Sequence, residues 1–241
     1  MILHRLSVAI RRQDWFTVLI EIMIVVIGVV LALQVQQWAQ AHEERKTEAA
    51  YLSRLYDEVL RLEATRAPLI QFRENVFAGA MSAAPAILGL EERTLTKEEC
   101  FAIGYSSILS NPTSDLAILN ELQTTGRLYL VQDEKLKSSI RSYLLQAARA
   151  RDINEAVFRN ATLLVPYYPE LVRISESAKP DMINSDVFIC DANKMRSHLE
   201  FRSRFQYTMG GYYQHLNAIR SVQSSLKDLR LALEDALGKL E

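Results

Sequence analysis

The amino-acid sequence predicts an all-α protein: one N-terminal transmembrane helix continuing into an elongated antiparallel helical bundle. Three observations predict it. From Phe16 to Val35 the only clearly polar side chains are Thr17, Glu21 and Gln34. Beyond that run, apolar residues recur at helical rather than alternating spacing. Only 8 Gly and 6 Pro punctuate 241 residues, too few for the turns of an all-β chain. The expected organisation is a short cytoplasmic N-terminus (1–14), a transmembrane helix (15–38), a helical stalk (39–68) and an extracytoplasmic helical-bundle domain (69–241).

An α-helix rises about 1.5 Å per residue, so about 20 apolar residues cross a hydrocarbon core of about 30 Å. Trp15 and Trp38 bracket the run and are the expected interface anchors, because indole rings prefer the headgroup level. Arg5, Arg11 and Arg12 precede it, whereas Arg45, Lys46 and Arg54 follow farther out, among Glu43, Glu44 and Glu48. That asymmetry favours a cytoplasmic N-terminus and places the remainder outside, in the periplasm of a bacterial inner membrane. The competing expectation is a cleaved signal sequence, since Ala39-Gln40-Ala41 resembles a cleavage site. The apolar run is longer than the usual h-region of about 7–15 residues, which argues against it.

The stalk carries no Gly or Pro from Gln36 to Ala67, and Leu52, Leu55, Val59 and Leu62 repeat at the 3-4-3 spacing of a helical seam. Pro68 is expected to kink or end this helix. A further helical stretch runs from Leu69 toward Leu88, disturbed at Pro85 and Gly89. Thr96 followed by Glu99 is a capping box opening a short helix. Another helix starts at a Thr113 or Ser114 cap and closes on Gly126, with an extended connector after it. From Asp133 an amphipathic helix (Leu136, Ile140, Leu144, Ala147, Ile153, Val157, Ala161, Leu164) is expected to end at Pro166. Residues 166–190 are expected to be a long loop. The last helix runs from about Asn193 to Leu240, with Leu216, Ile219, Leu226, Leu233 and Leu237 on its seam and Gly210-Gly211 interrupting it.

Cys100 and Cys190 are 90 residues apart and form no C-x-x-C pair. In an oxidising compartment they are a possible disulfide; otherwise they pack as small buried thiols.

Glu21-Ile22, Val26, Gly28, Ala32-Leu33-Gln34 and Trp38 spell E-I-x3-V-x-G-x3-A-L-Q-x3-W. This resembles the N-terminal signature of a family of bacterial single-pass inner-membrane proteins of unknown function. Tyr51-Leu52 with Leu55, and Leu122 through Gly126, look like later features of it. Gln36-Gln37 stand where that family usually has Asn-Asn, which puts any role of those amides in doubt. The resemblance implies the topology above and no activity.

On a helix, Thr17, Glu21, Gly28 and Ala32 fall within a sector of about 60°. Gly28 and Ala32 form the small-x-x-x-small pair that lets helices approach closely, and a carboxylate in lipid is costly unless it faces a partner. The expectation is that this face packs against a second copy or another membrane protein, the alternative being a Glu21 that simply reaches the headgroups. Catalytic and metal-ligand patterns are missing. The four histidines show no H-E-x-x-H spacing, Gly104 opens no G-x-S-x-G, and no Gly-rich phosphate loop is present. No catalytic residue, cofactor or metal is expected, and a net charge of −1 gives no footprint for nucleic acid. The one candidate ligand site is Tyr207, Tyr212, Tyr213 and His215 beside Gly210-Gly211, whose competing role is to fill the core. The expected function is a membrane-anchored, non-enzymatic interaction protein, acting through association in the bilayer. The alternative is a periplasmic small-ligand sensor that signals through a partner.

Overall fold

The computed structural model describes residues 15–176 and 185–239, and Thr17 by its backbone alone. Arg5, Arg11 and Arg12 therefore lie outside the described residues. Among the described residues the chain is mostly helical (79%) with one very small sheet. It divides into two compact units, one ending at Tyr51 and one starting at Leu52.

Helix α1 (Trp15–Leu88) supplies every described residue of the first unit and the first helix of the second. In the first unit the bulky apolar side chains from Leu19 to Val35 are all exposed, and the apolar window is 0% buried. Trp38 stacks on His42 one turn later, with ring centroids 5.8 Å apart.

In the second unit, three long helices contribute buried apolar residues: α1 from Leu52 onward, α4 (Glu134–Asn160) and α7 (Leu199–Gly238); a larger buried cluster joins α1 and α7 to residues 100–103, 164–172, 188 and 195. The seam Leu52, Leu55, Val59 and Leu62 is buried, as its spacing requires. Arg230 bonds Glu63, Arg66 bonds Gln223, and Arg220 bonds Glu74, so α1 and α7 run antiparallel. Lys135 pairs with Asp235, and Asn154 meets His215, so α4 and α7 are antiparallel too. Hence α1 and α4 run parallel, joined by a crossover through α2 (Lys97–Tyr105), α3 (Ala117–Thr124) and a 3-10 turn (Arg127–Leu130).

Several local expectations are corrected. Helix α1 continues through Pro68 to Leu88. Pro68 and Ala64 are exposed, so the unbonded carbonyl one turn back is left to water, while Arg66 and Ile70 on the opposite face are held in the core. The helix ends at Gly89 (φ 82°), where the Leu90 N–H donates to the Pro85 carbonyl in the Schellman pattern. Helix α2 stops at Tyr105. Gly104 there lies so close to the Phe188 ring that any Cβ would overlap it at 2.5 Å. Gly126 takes the expected left-handed conformation (φ 69°), but a 3-10 turn follows it rather than an extended connector.

Helix α4 ends at Asn160, six residues before Pro166. The Asn160 amide bonds the Ala156 carbonyl, and Ser107 Oγ captures the Leu164 N–H to start a new short helix, α5 (Leu164–Tyr167). Pro166 is accommodated in that first turn, where N–H groups have no helical partner. The expected loop contains two strands, β1 (Val172–Ile174) and β2 (Phe188–Cys190), antiparallel with Val172 opposite Cys190. Three-residue strands are too short for alternation to show. A short α6 (Ala192–Ser197) precedes α7, and His198 separates them by accepting the Phe201 N–H on Nδ1. Helix α7 is continuous through Gly210-Gly211.

Candidate functional site

Local sequence places the four tyrosine-region residues on one stretch of α7, but the helix sends them to different surroundings. Tyr212 and His215 are buried; Tyr207 and Tyr213 are exposed. Tyr212 stacks on Phe77 and its hydroxyl donates to the Arg73 carbonyl at 3.1 Å, with burial raising its pKa. His215 Nδ1 lies 2.7 Å from Asn154 Oδ1. The Asn154 amide nitrogen is committed to Asn111 Oδ1 at 2.8 Å, so the histidine is the donor and its Nε2 is a buried lone pair without a hydrogen-bond partner. Burial, and then the charge of Arg73, push its pKa down to about 4. The expected cluster is thus two core residues and two surface residues.

What the structure does place beside Tyr207 is a groove of about 400 Å³. Its walls come from three elements. The segment just after α2 contributes Ser106, Ser107 and Leu109; the last turns of α4 contribute Val157 and Asn160; α7 contributes Tyr207, Gly210 and Gly211. The lining is mainly apolar, and none of its residues is charged. Thr208 also lines it, and its hydroxyl is buried with no hydrogen-bond partner among the described residues.

The most constrained polar groups are ones the sequence reading passes over. Arg66 is 1% exposed, and among the described residues no carboxylate is bonded to it. Its guanidinium donates instead to Gln223 Oε1 and to the carbonyls of Pro112, Thr113 and Ile219. Arg73, also buried, donates to the Ile108 carbonyl and Ser110 Oγ and lies over the Tyr105 ring. The buried hydroxyl of Tyr143, pushed up to about 12 by desolvation, donates to the Ser114 carbonyl. Together with the Asn154–Asn111 bond these hold residues 108–114 against the bundle. The work is structural: every donor ends on a backbone carbonyl or a neutral side chain. No periodicity could announce it, because each partner is at least 29 residues away.

At the other end of α2 the Thr96–Glu99 capping box forms as expected. Arg93 grips the Glu99 carboxylate through both terminal nitrogens, at 2.7 and 2.8 Å, and holds its pKa down at about 2. Cys100 in α2 and Cys190 in β2 are joined by a disulfide, with S–S 2.07 Å. On α1, Glu21, Gly28 and Ala32 are exposed on a continuous helix, and a Cβ at Gly28 would meet open space. Among the described residues no group of three or more His, Cys, Asp or Glu side chains converges as a metal site would require.

Fold and sites define a helical protein with one apolar N-terminal helix of membrane-spanning length and a disulfide-closed domain bearing an uncharged groove. No family model matches the chain, and no curated protein or solved structure matches it.

Proposed function

We infer that this chain is a membrane-anchored, non-enzymatic interaction protein of the bacterial envelope. Its helix spans the inner membrane once with the N-terminus in the cytoplasm, and the disulfide-closed domain lies in the periplasm. The observation that carries this is the exposure of α1: from Leu19 to Val35 no bulky apolar side chain is covered by another described residue. Such a surface is stable only against lipid or another apolar helix. One face of it carries the small and polar residues, with Glu21, Gly28 and Ala32 on the same side as position 17 and Ile24 and Val35 beside them. A Glu side chain near lipid favours a polar partner, and Gly28 permits close backbone approach. That face therefore meets a second copy or a different membrane subunit, while the rest of the helix meets lipid. The disulfide supports the periplasmic placement, because such bonds persist in oxidising compartments.

Cysteine placed at Gly28 in the membrane-embedded chain is expected to give disulfide-linked dimers or partner adducts, and cysteine at the adjacent Val29 far fewer. The native cysteines do not interfere, since they are bonded to each other. Equal crosslinking at both positions would remove this face from the account.

A second reading is favoured by the groove beside Tyr207: the periplasmic domain senses a small ligand and signals through a membrane partner.

A further inference from the structure

We propose that the groove between the end of α2, the end of α4 and the middle of α7 is a binding site for an uncharged, amphipathic small molecule: an aromatic or short aliphatic body carrying hydroxyl or amide groups. The proposal rests on the second reading above and specifies its site and ligand chemistry.

Size is the first support. About 400 Å³ falls within the range of about 300–1,000 Å³ that small-molecule sites occupy. Charge is the second. The chain is 24% charged, yet the groove presents no Asp, Glu, Lys or Arg among its thirteen lining residues, where about three would be expected from composition. A ligand carrying a full charge would lose its hydration there and find no counter-ion. The polar groups on offer are amides and hydroxyls, from Asn160, Gln214, Ser107 and Tyr207, which suit neutral donors and acceptors. Ser107 Oγ already accepts from the Leu164 N–H, which leaves its own proton free to donate.

Gly210 is the third support. Glycine inside a helix is unfavourable relative to alanine, and it is usually retained for a positive φ or a close contact. Gly210 has neither: its φ is not positive, and a Cβ there would meet nothing within 4 Å. Its neighbour Gly211 differs, since a Cβ there would come 3.4 Å from Val157 Cγ1. What the bare backbone at Gly210 does is leave the groove open where a side chain would project into it. Thr208 is itself a lining residue, and its buried hydroxyl has no hydrogen-bond partner among the described residues.

Photolabelling of the full chain in lipid nanodiscs tests this, using 4-(hydroxymethyl)benzophenone as the neutral probe and 4-benzoylbenzoate as its anionic counterpart, with labelled positions mapped by peptide mass spectrometry. The neutral probe is expected to label segments 156–161 and 206–214 saturably. Labelling of residues 19–35, which reports partition into lipid, rises without saturation. Gly210→Leu fills the groove from α7, and Ala156→Phe fills it from the exposed edge of α4. Each is expected to cut groove labelling at least tenfold while labelling of 19–35 and the helical circular dichroism stay unchanged. Groove labelling that survives both variants overturns the proposed site. Equal or stronger labelling by the anion overturns the ligand chemistry and leaves the ligand-binding reading standing. If neither probe labels these segments above the rest of the domain, both the proposal and the reading fall.

Discussion

At His215 a single side chain couples the core to pH. The imidazole is buried, its Nδ1–H is spent on Asn154, and its Nε2 meets no partner, so the neutral form is the one the fold accepts. Its pKa is lowered from the ordinary 6.5 to about 4, first by burial and then by the charge of Arg73. A base with a depressed native pKa binds fewer protons folded than unfolded, so it contributes stability in full above pH 6.5. That contribution is lost as pH falls toward 4. Between pH 7.5 and pH 5 the domain is expected to lose about 2 kcal/mol through this group. Thermal or urea unfolding of the domain as a function of pH measures it. His215→Asn, which cannot take up the proton, should flatten the curve over that window; an unaltered slope would exonerate the histidine. Glu99 acts in a separate, more acidic window. Paired to Arg93, it keeps its contribution above about pH 4.5 and loses it only as pH falls toward 2. The sequence marks His215 as unusual only through its aromatic neighbours, which pointed to a ligand site. Its real partner, Asn154, sits one position from Ile153, the residue that apolar periodicity selects. Ile153 is 38% exposed and Asn154 1%, because the amide's bonds to Asn111 and His215 outweigh its polarity.

Among the elements, α3 shows how a helix missing its own cap borrows one. Its first residue follows Leu116, which offers no side-chain acceptor; the Thr113 and Ser114 hydroxyls expected to serve lie too early in the chain. Glu58, projecting from α1, reaches across instead. Its two carboxylate oxygens accept the N–H groups of Ala117 at 2.6 Å and Ile118 at 3.0 Å. A carboxylate at a helix N-terminus satisfies free donors and complements the positive end of the dipole. Glu58→Ala is therefore expected to destabilise the domain by about 1 kcal/mol. Hydrogen exchange should accelerate first at the Ala117 and Ile118 amides. Exchange accelerating uniformly, or not at all, would show that α3 does not depend on this contact. The long elements were legible because their seams are local patterns: Leu52 through Leu62 and Leu216 through Leu233 are buried where the heptad-like spacing puts them. What escaped were boundaries decided at a distance. Ser107 ends the α4–α5 connection from 57 residues away, and the weight of packing on one face of α1 carries it straight through Pro68.

For the whole molecule the Cys100–Cys190 bond has two consequences that one set of experiments can separate. It closes a 90-residue span containing α3, α4, α5 and β1, so reduction releases a long loop in the unfolded chain. The chain-entropy relation puts that at about 4–5 kcal/mol, and native disulfides in small secreted domains are typically worth about 2–5. Replacing both cysteines by alanine is expected to lower stability within that range. The effect should be greatest near the β1–β2 pair and α2, whose contact the bond secures, and smallest along the α1–α7 seam, which packs without it. The second consequence concerns placement. A thiol pair in a reducing cytoplasm stays open, whereas one exposed to an oxidising envelope closes. In cells quenched with an alkylating reagent, neither cysteine should be modified unless a reductant is added first. Moving the charge balance, by replacing Arg5, Arg11 and Arg12 with glutamate and adding lysines after Trp38, should invert the helix and leave both thiols free to alkylate. Alkylation of both cysteines in the unaltered chain without reductant would place the domain on the cytoplasmic side. The association through Glu21, Gly28 and Ala32 would then have to be rethought from the opposite leaflet.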